Sequence, residues 1–85
     1  MNTPWGKADD VTLVKRGIYW VSTPSHGGVM IDRKVGDSVL SDDAKKVGAG
    51  FGFTPANPWS KDWYVFEEDC DWRIAANEIP EINEY

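Results

Sequence analysis

The chain has 85 residues, of which 41% are hydrophobic and 13% aromatic, and its formal net charge is −5 at pH 7. This apolar content excludes a disordered chain, and no stretch approaches the ~18 apolar residues that cross a bilayer. The first ten residues lack the basic and apolar regions of a signal peptide, and the one cysteine permits no internal disulfide. We therefore expect a single cytoplasmic domain over residues 1–85.

Four short runs of β-branched and aromatic residues predict the strands of a small sheet. Residues 1–9 precede them as an irregular lead-in. Lys15–Gly17 has the chemistry of a tight turn with Gly17 at positive φ, and Thr23–Gly28 has that of a longer loop. We expect an antiparallel meander of three to four strands, whose second strand is covered on both faces. The predicted strands are Val11–Val14, Ile18–Val21, Val29–Ile31 and Trp63–Phe66.

Two helices complete the predicted elements. Ser41 is a favourable N-cap for one short middle helix, with acids in its first turn, lysines in its last and Gly48 after it. Asp69 or Asp71 is placed to cap a C-terminal helix that Pro80 interrupts. The predicted fold class is therefore α+β: a small antiparallel sheet with a C-terminal helix and one short middle helix. The side chains of the C-terminal helix that recur at helical spacing and face the sheet are Trp72, Ala75, Ala76 and Ile79.

The segment between the middle helix and the fourth strand alternates glycine with aromatic residues. Its GAGFGF run matches neither phosphate-binding glycine pattern and contains no lysine. Exposed aromatic side chains are good interface anchors, so Phe51, Phe53 and Trp59 are candidate partner-binding residues. Burial of the same three side chains in the core is an equally open alternative.

Acidic residues are concentrated at the end of the chain, where residues 62–85 carry eight acids and one base, a net charge of −7. Such a segment repels phosphates, so we expect no direct nucleic-acid binding and instead a partner with a basic surface. Four of the acids lie within five residues: Glu67, Glu68, Asp69 and Asp71. Capping of the last helix needs one or two of them, which leaves open a protein-binding patch or a metal or catalytic site.

His26 is the one histidine and lies in the glycine-flanked loop. A metal site needs three or four ligands, and the sequence shows no second histidine and no CxxC pair, so we predict no metal and no cofactor. We expect this loop to meet the acidic segment, because His26 is the loop residue able to pair with a carboxylate. Gly27 and Gly28 would let backbone amides approach the same carboxylates.

Cys70 with His26 and an acid is the residue set of a cysteine hydrolase. Neighbouring acids, Glu68, Asp69 and Asp71, favour the protonated thiol over the thiolate that attacks a substrate. We therefore expect binding rather than catalysis. A small enzyme or a metal- or ligand-binding domain that uses His26, Cys70 and the acidic cluster stays the alternative.

The chain contains three unusual motifs, in the order Thr3-Pro4-Trp5-Gly6-Lys7-Ala8-Asp9, Ser22-Thr23-Pro24-Ser25-His26-Gly27-Gly28 and Glu67-Glu68-Asp69-Cys70-Asp71-Trp72. Together they resemble an uncharacterised domain family of bacterial proteins, many of them encoded by plasmids and phages. The family has a tyrosine before the acidic motif, where this chain has Phe66. The resemblance carries no activity, and it implies a small protein of a mobile element acting on host machinery inside the host cell.

The predicted function is that of a small acidic binding protein. Its expected partner is a host protein or nucleoprotein complex with a basic surface, and no membrane is involved. We expect a protein of this kind to inhibit a host defence complex, such as a CRISPR complex, or another nucleic-acid-processing complex by occupying its basic channel. The residues predicted to bind the partner are His26, Phe51, Phe53, Trp59, Glu67, Glu68, Asp69 and Asp71.

Overall fold

A four-stranded antiparallel sheet organises the protein, for which a computed structural model describes residues 2–49, 62–69 and 71–84. The strands follow one another across the sheet in chain order, so the predicted meander is confirmed. Residues 1–9 were expected to be irregular, but they include a small hairpin of β1 (Asn2–Thr3) and β2 (Gly6–Lys7). The sheet strands are β3 (Asp10–Lys15), β4 (Ile18–Ser22), β5 (Gly27–Asp32) and β6 (Trp63–Glu67).

The two turns between β3, β4 and β5 follow their predicted chemistry, although the second is shorter than expected. Gly17 has a φ of +80°, as the tight turn requires. Thr23 closes the other turn, because both its backbone N–H and its hydroxyl donate to the carbonyl oxygen of His26, at 2.7 and 2.8 Å. Gly27 and Gly28 belong to β5 rather than to the loop. A Cβ on Gly28 would lie 2.2 Å from the carbonyl oxygen of Phe66, so glycine is what allows β6 to approach.

Within the described ranges, three helices and a 3-10 helix cover one face of the sheet. The middle helix is confirmed, with the Ser41 hydroxyl accepting from the N–H of Ala44 at 3.2 Å. A further helix before it was not predicted, because Gly36 in its centre lowers helix propensity. That glycine is buried, and a Cβ there would lie 2.3 Å from the Tyr64 ring. The elements are α1 (Arg33–Val39), α2 (Asp42–Gly48), α3 (Trp72–Glu78) and a 3-10 helix (Pro80–Glu84).

Apolar side chains lie on both faces of the sheet. The helix-covered face carries the larger cluster, which includes Phe66, and the opposite face carries a smaller cluster with Trp5 packed against it. Val11 and Leu13 on the edge strand β3 are 43% and 57% exposed. The larger cluster contains Ile18, Val29, Ile31, Leu40, Ala44, Tyr64, Phe66, Ala75, Ala76, Ile79 and Ile82, and the smaller one contains Val21, Met30 and Val65.

The two clusters confirm two predictions made from the sequence. The second strand is covered on both faces, since Ile18 belongs to the larger cluster and Val21 to the smaller one. The predicted sheet-facing residues of the C-terminal helix also pack in the larger cluster. None of the helices in the described ranges is long and apolar enough to cross a membrane. The predictions for Phe51, Phe53, Trp59 and Cys70 concern positions outside the described residues.

Candidate functional site

The meander brings acids from two distant parts of the sequence to one end of the sheet. At this end Asp10 in β3 pairs with Ser22 in β4, and Ser22 pairs with Gly27 in β5. Gly28 then pairs with Glu67, the last residue of β6. Antiparallel pairing therefore places the first residue of β3 and the residues after β6 at the same end. We call it the acidic end, and its described acids are Asp9, Asp10, Glu67, Glu68, Asp69 and Asp71.

Side-chain capping of the last helix does not account for Asp71. Asp71 occupies the N-cap position of α3, but in the described structure its side chain makes no capping hydrogen bond. Its φ of −93° and ψ of −21° are helical, whereas a capping side chain reaches back from extended backbone. The N–H of Asp71 instead donates to the carbonyl oxygen of Glu67 at 3.0 Å, closing a turn that contains Asp69. The side-chain cap predicted at Asp71 is therefore absent from the described structure.

A pocket of about 440 Å³ opens at the acidic end. Two carboxylates line it, from Asp10 in β3 and from Glu68 after β6. Hydroxyl groups and an indole ring complete the lining, so the pocket combines negative charge, hydrogen-bonding oxygens and an aromatic wall. Its lining residues are Asp10, Thr12, Trp20, Val21, Ser22 and Glu68.

The aromatic wall of the pocket is the ring of Trp20, and contacts with residues outside the pocket fix its position. The indole N–H of Trp20 donates to the carbonyl oxygen of Ile82 at 3.0 Å. Its ring also packs against Trp72, with ring centroids 5.7 Å apart and planes tilted by 53°. Trp20 is thus tied to both C-terminal helical elements, which makes this wall of the pocket preformed.

The loop of His26 and the acidic segment meet, as the sequence predicted. The Nδ1 atom of His26 lies 3.9 Å from Oε1 of Glu67, with the two side chains 50% and 28% exposed. Asp69 joins them, because one ligand atom from each of the three side chains lies within 4.8 Å of the others. Gly27 takes part in strand pairing, because its carbonyl accepts from the N–H of Glu68 at 3.0 Å. A Cβ on Gly27 would lie 3.4 Å from Oε2 of Glu68, so this carboxylate approaches the glycine, and its binding by the glycine amides stays a prediction.

Tyr64 and Glu78, two residues with shifted pKa values, make contacts that involve the helices and do not lie at the acidic end. Burial, followed by the hydrogen bond that its hydroxyl donates to Asp37, raises the pKa of Tyr64, while the nearby Arg33 opposes the shift. The Arg33 guanidinium lies 4.2 Å from the centroid of the Tyr64 ring. Glu78 has a lowered pKa because the hydroxyl and the backbone N–H of Ser41 both donate to its carboxylate, at 2.6 and 2.7 Å. These contacts join α1 to β6 and α3 to the start of α2.

The local sequence around the pocket residues of β3 and β4 does not indicate a binding site. Thr12, Trp20 and Ser22 fit an ordinary strand pattern. The single cue is Asp9-Asp10 directly before a strand, and it points to the site only when the strand order is known. The structure therefore adds a second source of negative charge to the acidic segment that the sequence identifies.

Comparison with known proteins gives a family but no described activity. No curated protein and no solved structure matches the chain. The profile of an uncharacterised family, described as domain of unknown function DUF7007, matches residues 1–85. Because that match spans the whole chain, the protein belongs to the DUF7007 family, in agreement with the expected uncharacterised domain family.

Proposed function

We propose that this protein binds a basic protein surface through its acidic end, with an arginine side chain of the partner entering the pocket. The observation that carries the proposal is the lining of the pocket, in which the carboxylates of Asp10 and Glu68 accompany Trp20. A pocket of about 440 Å³ lies within the range of roughly 300–1,000 Å³ found for specific ligand sites. Arginine therefore has room for both its stem and its head group.

The chemistry of arginine matches the pocket part by part. Its apolar stem packs against the ring of Trp20, because long basic side chains bury their methylene groups against apolar surface. Its guanidinium group donates to carboxylates in a planar fork and also stacks on aromatic rings. The hydroxyls of Thr12 and Ser22 accept further N–H groups. Lysine offers a compact point charge without the planar fork, so arginine fits this mixture better.

The remaining acids of the acidic end supply long-range attraction. Charges on exposed residues steer a partner of opposite sign and set its orientation, while contributing less to the final affinity. Lys7 and Arg73 are the bases nearest in sequence to these acids, and the acids outnumber them. This distribution supports a basic protein as partner.

We further propose that the partner is a host defence complex or another host complex that processes nucleic acid. Such complexes carry basic channels for nucleic acid, and a protein with carboxylates at one end competes for such a channel. The resemblance to a family of plasmid- and phage-encoded proteins supports this direction. On this reading the protein is an inhibitor that belongs to a mobile element and acts in the cytoplasm of the host.

A capture experiment tests the proposal. Wild-type protein and the Asp10→Asn/Glu68→Gln variant are immobilised, exposed to bacterial lysate, and the retained proteins are quantified by mass spectrometry. The control is Asp43→Asn/Glu84→Gln, which removes two negative charges from exposed residues outside the acidic end. We expect a basic protein that the wild type and the control retain and the pocket variant loses. Equal retention by all three proteins would contradict the proposal.

A defined ligand tests the pocket itself. A short peptide with one arginine is titrated while the indole N–H signal of Trp20 is followed by NMR, and a peptide with neutral citrulline in place of arginine serves as the control. We expect a saturable shift of the Trp20 signal with arginine only, abolished in the Asp10→Asn/Glu68→Gln variant. A response to citrulline as large as the response to arginine would refute charge recognition in the pocket.

A further inference from the structure

A second group of side chains at the acidic end has the composition of a metal site. His26 offers a ring nitrogen, while Glu67 and Asp69 each offer a carboxylate oxygen, and these three ligand atoms lie within 4.8 Å of one another. None of the three lines the arginine pocket. We propose that His26, Glu67 and Asp69 bind one divalent transition-metal ion, for which Zn²⁺ has the best-matched chemistry, and that this site is separate from the proposed protein-binding pocket.

Backbone hydrogen bonds hold the segments that carry these ligands. The N–H of His26 donates to the Thr23 hydroxyl at 3.1 Å, and its carbonyl accepts from the same residue. On the other side, the turn between Glu67 and the N–H of Asp71 encloses Asp69. The bond from the N–H of Glu68 to Gly27, at 3.0 Å, joins the two segments. Little backbone ordering is therefore needed when an ion binds.

The side chains need a small contraction to share one ion. Ligands at about 2.0–2.2 Å from a zinc ion lie within about 4 Å of one another. The His26 Nδ1 and Glu67 Oε1 atoms are already 3.9 Å apart, and the full group spans up to 4.8 Å. Rotation of exposed side chains covers this difference, since His26 is half exposed and Asp69 is exposed. An ion placed between the two carboxylates also removes their mutual repulsion.

The ligand set predicts which ion is preferred. One imidazole with two carboxylates is a mixed nitrogen and oxygen set, which suits Zn²⁺ and related transition metals. Mg²⁺ and Ca²⁺ prefer oxygen ligands throughout. Three protein ligands leave a coordination position for water or another ligand, as in zinc sites that keep an open position. Affinity for Zn²⁺ should therefore exceed affinity for Mg²⁺ and Ca²⁺.

Calorimetric titration of the untagged protein with Zn²⁺ tests the site. All measurements use a Cys70→Ser background, so that the thiol makes no contribution. We expect one ion per chain, with binding at least tenfold weaker in His26→Ala and in Asp69→Asn, because even residues that merely orient a metal ligand change affinity by about 10–100-fold. Asp71→Asn, which removes a carboxylate of the acidic end that belongs neither to the ligand set nor to the arginine pocket, is the control and should bind Zn²⁺ normally.

NMR provides a readout that needs no variant at the site. His26 is the sole histidine, so its ring C–H signals report the ligand directly, and we expect them to shift until one equivalent of Zn²⁺ has been added. Unmoved ring signals, absence of saturable binding, or Mg²⁺ binding as tight as Zn²⁺ binding would overturn the proposal. Equal weakening by Asp71→Asn and Asp69→Asn would also overturn it, because that result describes diffuse attraction to acidic groups.

Discussion

The contact between Ser41 and Glu78 makes a pH-dependent contribution to stability. The Ser41 hydroxyl caps α2 and also donates to the Glu78 carboxylate at 2.6 Å, while the Ser41 N–H donates to the same carboxylate at 2.7 Å. Hydrogen bonds to charged groups contribute about 1.5–3 kcal/mol when shielded. Both residues are exposed, and exposed pairs are worth about 1 kcal/mol or less. We therefore expect Glu78→Gln to lower the free energy of unfolding by about 1 kcal/mol at pH 7.

The sign of the pH dependence follows from the lowered pKa of Glu78. A carboxylate whose pKa is lower in the folded state stabilises the fold above its unfolded pKa, and that stability is lost as pH falls through the folded value. The ordinary pKa is 4.5, so the difference between wild type and Glu78→Gln should be full at pH 7. It should shrink as the pH is lowered below 4.5, because protonated glutamic acid resembles glutamine.

Urea and thermal unfolding, followed by circular dichroism from pH 7 into the acid range, measure this difference. For a domain of this size a loss of 1 kcal/mol lowers the melting temperature by about 4–8 °C. Glu84→Gln is the matched control at another exposed acid and should have little effect. A Glu78→Gln variant as stable as wild type at pH 7, or one whose deficit stays constant on acidification, would refute the reasoning.

Four further predictions concern the motifs and the acidic end. Gly28→Ala should lower the free energy of unfolding by about 3 kcal/mol, because the new methyl group overlaps the backbone of β6; a wild-type urea midpoint would contradict this. Asp71→Asn should change it by less than about 0.5 kcal/mol, and a loss of about 1 kcal/mol would restore the capping role. Raising the salt concentration from about 0.05 to 0.5 M should weaken capture of the basic partner, since screening shortens to a few ångströms; unchanged capture would exclude charge attraction. Cys70→Ser should retain partner binding in the same capture assay, and its complete loss in a folded variant would assign the thiol a role.

Local sequence patterns determined the regular elements of the sheet. β-branched and aromatic runs located β4 and β6, and Gly17 marked the turn between β3 and β4 because only its backbone accepts a positive φ without strain. Ser41 marked the start of α2 through the same local logic, since a capping hydroxyl acts on an N–H three residues away. The concentration of acids after residue 62 is likewise a property of the sequence alone.

Tertiary structure decided which of these residues act together. Asp10 and Glu68 are 58 positions apart in the sequence, and only the order and register of the strands bring them to one pocket. Asp71 has the residue type of a helix cap, but its backbone angles are helical and its side chain makes no capping hydrogen bond in the described structure. Gly36 disfavours a helix locally, yet packing against Tyr64 requires the space that a glycine leaves. At the pocket and at Gly36, contacts across the fold outweigh the local preference, because strand pairing and close packing involve more atoms than any single turn of the chain.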